Sequence, residues 1–335
     1  MLTLDANHVA GRVLQKLSAY YMRPSIEEVV VNRPGEVWIK PRRAPWEVHA
    51  APELTYDHLL RVCSTLANIN GALFDENDIP VVSCELPGAP FRFQGIIGNN
   101  VRYVLDDRKG VAIAIRALTA DTSINFASYG LKDGIHLPGL RTAVEDFSIS
   151  DDHVALIKET IGRHESILIS GATSTGKTTF TNQIIDILPR DERIITVEDA
   201  RELTVPHLNR VHLMVPRNRG ANKVDYGTII DSLMRLTPDW IVCGEISVHN
   251  ALPVYSTMGK GHPVITTVHA GSPDQAVEAF GRNISMSSSG GSPLSGHDLN
   301  DSVASQIGCI IQLERRDGKR QVVDIVFPSK QKKGG

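Results

Sequence analysis

Gly171-Ala172-Thr173-Ser174-Thr175-Gly176-Lys177-Thr178 completes the G-x-x-x-x-G-K-[ST] pattern of a phosphate-binding loop. Its flanks supply the context that the pattern requires. Ser166-Ile167-Leu168-Ile169-Ser170 reads as a short buried strand, and Thr178 to Leu188 reads as a helix that stops at Pro189. A strand, a glycine-bearing loop and a helix N-terminus aim several backbone N–H groups at one point, where the helix dipole also favours an anion. Lys177 adds a point charge for the β- and γ-phosphates, the Thr178 hydroxyl is placed to ligate Mg²⁺, and Thr179 continues the first helical turn. The stretch predicts that the chain binds a nucleoside triphosphate with Mg²⁺ inside an α/β core.

Composition narrows what surrounds that core. A chain of 335 residues with 41% hydrophobic residues has material for two cores rather than one. No apolar run approaches the length of a membrane span, and the start of the chain lacks the charged-then-apolar layout of a secretory signal. Cys63, Cys84, Cys243 and Cys309 are scattered without a C-x-x-C pair, which argues against a zinc site or a disulfide framework and fits reduced thiols in a cytoplasm. A net charge of −3 gives no global attraction to nucleic acid, so no direct specific nucleic-acid binding is expected.

The first part of the chain reads as α+β. An amphipathic segment, Val9 to Tyr21, precedes a strand at Glu28–Val31, a turn at Asn32-Arg33-Pro34-Gly35 and a returning strand at Val37–Lys40. Tyr56 to Ile69 has helical spacing, with Leu59, Leu60, Val62, Cys63, Leu66 and Ala67 on one face. Strand-like pieces follow at Val81–Leu86, Arg92–Ile97, Val101–Leu105 and Val111–Ile115, with Asp106–Gly110 read as an exposed loop. Tyr129 to Leu140 marks a boundary, giving an α+β domain over 1–130, a linker over 131–150 and an α/β domain over 151–335. In the last of these, Asp151–Ile161 reads as a helix. Strands are predicted at Ser166–Ser170, Arg193–Val197, Arg210–Met214, Trp240–Gly244 and Pro263–Val268, and a closing hairpin joins Ile307–Leu313 to Gln321–Phe327. Ser285–Gly296 is a loop by composition, and Lys330-Gln331-Lys332-Lys333 reads as solvated charge.

Phosphoryl transfer needs an acid near the metal and one that positions the attacking water. Two strand ends offer them. Trp240-Ile241-Val242-Cys243-Gly244-Glu245 is a buried-strand pattern that ends in a carboxylate, and Ile194-Ile195-Thr196-Val197-Glu198-Asp199 is another, with Arg201 and Glu202 beyond. In an open α/β sheet such C-terminal strand ends line the ligand crevice. An acid closing a strand is also an ordinary solvated group, so both readings stand for Glu198 and Glu245. Gly261 to His269 carries two His and two Thr around a short strand. No nearby cysteine or acid makes it a metal site, and a polar strand end near the γ-phosphate competes with a structural His262.

In order, the phosphate loop, Ile194–Glu202, Leu233–Glu245 and Gly261–His269 resemble the phosphate loop, Asp box, Walker B segment and His box of the secretion (traffic) ATPases. The resemblance spans nearly the whole chain. Within that superfamily it is nearest to the hexameric ring ATPases of type IV secretion and plasmid conjugation. Glu28–Val37 resembles their N-terminal hairpin, and Arg92-Phe93-Gln94 with Ile113-Ala114-Ile115-Arg116 resembles two arginine segments that face the nucleotide. The resemblance implies a RecA-like C-terminal core, a mixed N-terminal sheet with helices, and nucleotide between the two. It implies Lys177, Glu198, Glu245 and His269 as catalytic residues, Thr178, Glu198 and Glu245 around Mg²⁺, and Arg92 and Arg116 as nucleotide contacts. It further implies a homo-hexamer, peripheral on the cytoplasmic face of a bacterial inner membrane, that works with secretion-channel and coupling ATPase subunits. The pattern departs at Thr237, Trp240 and Ser247, where the family carries arginine; whatever those arginines do in relatives falls here to Arg235, Arg217, Arg219 or another group, or is not done at all.

The rival readings are weaker. A type IV pilus or type II secretion motor shares the superfamily, but the type II assembly group has paired cysteines absent here, and no retraction motif follows the His box. A nucleic-acid motor calls for a basic groove interleaved with aromatics, and aromatics are 5% of this chain. A small-molecule kinase leaves the large N-terminal part without a role.

Overall fold

The structure, a computed structural model, describes residues 2–42, 44–87, 90–103, 106–117, 153–199, 202–215, 224–287, 296–316 and 319–328. The expected linker at 131–150, Arg201, Arg217, Arg219 and the Lys330–Lys333 tail lie outside the described residues.

The second half is the α/β core that the phosphate loop implies. Six strands run parallel in the order β12 (Ile307–Arg316), β7 (Ser166–Gly171), β11 (Val264–Val268), β10 (Trp240–Cys243), β8 (Ile194–Glu198) and β9 (Arg210–Met214). Every residue of β7, β8, β10 and β11 is buried, because helices cover both faces and leave no room for alternation. One strand, β11, separates the phosphate-loop strand β7 from the acid-bearing strand β10, as in a RecA-like core. The helices are α3 (His153–Gly162), α4 (Lys177–Asp186), α5 (Tyr226–Leu233), α6 (Ala251–Gly259), α7 (Pro273–Ser285) and α8 (Gly296–Ser305). Local chemistry fixes several helix starts: Asp225 caps α5 through the Thr228 N–H, and Ser272 caps α7 ahead of Pro273.

The first half pairs helices α1 (Leu2–Tyr21) and α2 (Tyr56–Ile69) with strands β1 (Ile26–Val31), β2 (Gly35–Pro41), β3 (Glu47–Ala51), β4 (Val81–Glu85), β5 (Phe91–Tyr103) and β6 (Asp106–Ala117). Every pairing within this set is antiparallel, which corrects the expected mixed sheet. Two further expectations change. Arg92–Ile97 and Val101–Tyr103 belong to one strand whose register shifts past Gly98, where a φ of 110° and closeness to the Glu76 carbonyl admit no Cβ; residues 104 and 105 lie outside the described residues. Asp106–Gly110 is not a loop but the start of β6, paired back to Arg102 and Tyr103. β3 carries no strong sequence signal because its exposed residues only edge the sheet.

The antiparallel sheet alternates as period two requires. Val29, Val31, Phe93, Ile113 and Ile115 face α1 and α2, whereas Val30, Ile96, Ala112 and Ala114 join the core that includes Ile229, Ile230, Leu233 and Leu236 of the second half. The two halves also share one sheet, since Val101 of β5 pairs with Leu213 of β9 and Asn100 Nδ2 donates to the Met214 carbonyl at 2.8 Å. At the other edge of this junction a fully buried arginine, Arg193, donates through Nε to the Leu236 carbonyl at 2.8 Å and through Nη1 to Asn32 Oδ1 and Asn209 Oδ1, each at 2.6 Å. Beside it the Thr237 hydroxyl donates to the buried Glu28 carboxylate.

Candidate nucleotide-binding site

The phosphate loop leaves β7 at Gly171 and turns into α4 at Gly176, which holds φ at 92° and caps the helix without a side chain. The first N–H groups of α4 therefore point into a cavity of about 500 Å³. Its wall carries Ser174, Gly176, Lys177, Thr178 and Thr179 from the loop and α4, with acids and polar groups from the ends of β8, β10 and β11.

Lys177 is largely buried there. Its Nζ donates to the carbonyls of Gly171 at 2.8 Å and Ala172 at 3.0 Å, and to His269 Nδ1 at 3.0 Å. An ammonium only donates, so Nδ1 of His269 is the bare nitrogen and the ring proton sits on Nε2. That Nε2 faces Glu245 Oε1 at 3.4 Å, completing a chain from lysine through histidine to carboxylate. Burial pulls the Lys177 ammonium below the ordinary lysine range, and the Glu245 charge opposes the fall. The chain assembles because β7, β11 and β10 are consecutive neighbours whose C-terminal ends lie side by side. The Thr267 hydroxyl, donating to the Gly244 carbonyl at 2.9 Å, ties the two acid-side strands together, and Asn250 Nδ2 holds the Glu245 carbonyl at 2.7 Å.

The Oε2 of Glu198 accepts the backbone N–H groups of Glu202 and Leu203, both at 2.8 Å, and its Oε1 accepts the Thr196 hydroxyl at 3.1 Å. Thr196 in turn accepts from His212 Nδ1 at 2.8 Å. At 2% exposure the carboxylate lines the cavity and at the same time holds the chain that follows β8. Glu202 reaches the loop, accepting the Thr178 hydroxyl at 3.1 Å. Among the described residues no three His, Cys, Asp or Glu side chains gather into a metal cluster. The donor set around Thr178 nevertheless fits Mg²⁺, which takes one or two carboxylates with water and substrate phosphate rather than an all-protein cage.

Arg92 and Arg116 are cross-strand partners of each other, but neither lines the cavity. Arg116 pairs in register with Glu28, whose carboxylate meets Thr237 just before β10, and it contacts Glu27 at 3.7 Å. That is the N-terminal edge of the parallel strands, opposite the phosphate loop. Both arginines, expected at the nucleotide, thus lie away from this cavity. Two of the positions where arginine was expected lie at the same far edge: Thr237 serves Glu28, and Trp240 is buried, donating to Glu192 Oε2 at 2.7 Å and stacking on His164. Arg320 of β13 (Lys319–Val326), by contrast, lines the cavity without having been singled out in the sequence.

Known proteins agree with this architecture. Residues 139–323 match the family described as Type II/IV secretion system protein. The type IV secretion system protein VirB11 of Bartonella quintana is 28% identical over 351 residues, covering 98% of this chain and 96% of its own. PtlH, a type IV secretion system protein of Bordetella pertussis, is 28% identical and covers 94% of each chain. The crystal structure of the VirB11 ATPase of Brucella suis, in complex with sulphate, superposes with a TM-score of 0.81 over 97% of this chain and 99% of that one, at 24% identity, and so shares the fold.

Proposed function

The chain belongs to the Type II/IV secretion system protein family, and from that membership we propose that it is the ATPase that drives a type IV secretion apparatus. The observation that carries the reading is the Lys177–His269–Glu245 chain over the N-terminus of α4. Binding of a triphosphate gives Lys177 phosphate oxygens in place of its carbonyl and histidine partners. Glu245, partly exposed at the strand end, is placed to accept the proton of a water that attacks the γ-phosphorus while the bond to the bridging oxygen of ADP breaks. His269, released from Lys177, is free to donate to the γ-phosphate from Nε2 or to hold Glu245. Mg²⁺ bound with the nucleotide would be held by the Thr178 hydroxyl and the Glu202 or Glu245 carboxylate, neutralising phosphate charge.

The finer proposals are a homo-hexamer, peripheral on the cytoplasmic face of an inner membrane, that contacts secretion-channel and coupling ATPase subunits. The full-length relatives named type IV secretion system proteins support them, and among the described residues no helix is long and apolar enough to cross a membrane. A role for Arg92 and Arg116 at the nucleotide would require the first half to swing from its seat or to come from a neighbouring subunit. The central test is turnover. Lys177→Ala is expected to abolish ATP hydrolysis, and Glu245→Gln to bind ATP while losing on the order of 10²-fold or more in kcat. Normal turnover by Glu245→Gln would refute its assignment, and native mass measured with and without ATP tests the ring.

A further inference from the structure

The C-terminal hairpin rises over the phosphate loop. β12 runs parallel to β7, with Leu313 opposite Gly171, and continues past it to Arg316 before β13 returns with Arg320 opposite Arg315. Arg320 lies against the start of α4: a Cβ built on Gly176 would stand 2.8 Å from its Cδ, 3.4 Å from Nε and 3.6 Å from Nη1. Its guanidinium lines the same cavity as Lys177, Thr178, Glu245 and His269, is exposed to it, and among the described residues forms no ion pair with the carboxylates of that wall. A planar fork of donors beside a helix N-terminus is suited to phosphate oxygens.

The sheet order says which phosphates. Glu245 and His269 end β10 and β11 on one side of β7, and they mark the γ end of the triphosphate. β12 and β13 lie on the other side of β7, the side left for the α- and β-phosphates once the γ end is assigned to Glu245 and His269. We infer that Arg320 is a nucleotide-binding residue that grips the α- and β-phosphates from the flank opposite Glu245, so that ATP and ADP are held by it equally. This rests on the cavity being the ATP site.

The test uses the full chain and two variants, Arg320→Ala and Arg320→Lys, with equilibrium binding of ADP and ATP by calorimetry and steady-state hydrolysis. Loss of one charge-assisted contact at an exposed position is expected to weaken both nucleotides about tenfold in Arg320→Ala. KM should rise in step while kcat stays within about twofold, because the contact is the same in ground and transition states. Arg320→Lys, keeping the charge without the fork, should recover most of the ADP affinity. Unchanged ADP affinity in folded Arg320→Ala would overturn the inference, as would a loss confined to ATP, which would move the residue to the γ-phosphate. Wild-type protein that bound neither nucleotide would overturn the reading of the site itself and this inference with it.

Discussion

Replacing Glu198 by alanine separates a carboxylate that does chemistry from one that holds the chain. The side chain accepts two backbone N–H groups at 2.8 Å and one hydroxyl at 3.1 Å, and the Leu203 amide it serves is buried. A hydrogen bond to a charged group contributes about 1.5–3 kcal/mol, and an abandoned buried donor costs about 1–3 kcal/mol. Removing a buried charge returns part of this, and water replaces the partner of the less buried Glu202 amide, so the net loss for Glu198→Ala is about 3 kcal/mol. Glu198→Gln keeps an oxygen for both amides and turns its NH₂ toward Thr196, so its loss is about 1 kcal/mol. Urea unfolding read by linear extrapolation gives both numbers, and hydrogen exchange should show the amides of 202 and 203 opening early in the alanine variant alone. Turnover should follow the same order, with Glu198→Gln retaining a substantial fraction, because Glu202 then still holds the Thr178 hydroxyl. Two variants of wild-type stability that both fail to hydrolyse ATP would refute the argument and return Glu198 to a chemical role.

Arg193→Met should cost about 3–5 kcal/mol, the usual result of removing one partner from a buried polar cluster, and should loosen the two halves from each other. In the double mutant with Glu28→Gln the combined loss should be smaller than the sum, because each single change strands the other's charge; a strictly additive cycle would exclude coupling between them. Burial raises the Glu28 pKa above the ordinary glutamate value, with Thr237 and Arg193 opposing. The folded protein then binds the extra proton, and stability falls as pH climbs from about the ordinary glutamate value through the raised one. Glu28→Gln should flatten that fall in unfolding curves taken between about pH 4 and 7, and an identical slope would remove Glu28 as its source. Burial pushes the Cys243 thiol up to about 12 and Cys84 up to about 11, with Cys63 raised further, so native protein should resist alkylation at neutral pH; rapid labelling of Cys243 before unfolding would contradict its placement.

The core of the fold was legible because its signals are local. Strands whose every residue is buried read as continuous apolar runs, and the helix α2 was readable to its ends since one face repeats at helical spacing and Thr55 caps it. What escaped was set by partners distant in sequence. β3 is an exposed edge strand that exists because β2 offers it a ladder, and the charged run from Asp106 is a strand because β5 does the same. Composition alone reads the charged run as loop and gives β3 no signal. The mixed character expected of the first sheet failed for a related reason: parallel order is a property of crossovers, and here β1–β2, β2–β3, β4–β5 and β5–β6 are joined by short connections.

The site divides along the same line. Lys177, Glu245 and His269 each end or follow a short apolar strand, and three such strands laid side by side bring them within hydrogen-bonding reach of one another. Sequence named them without knowing the distances. Glu198 has the same local signature, yet the chain after β8 turns back across its carboxylate, a path that no residue pattern announces. Arg92 and Arg116 also satisfied a pattern, but the face of the sheet that carries them packs at the edge of the core where strands begin, not where they end. Arg320 had no pattern at all: it stands 144 positions beyond Gly176, the difference between 320 and 176, and only the order β13-β12-β7 brings it there. Residues that act through strand ends are therefore readable in an α/β chain, whereas those that arrive from a neighbouring hairpin become visible only once the sheet order is known.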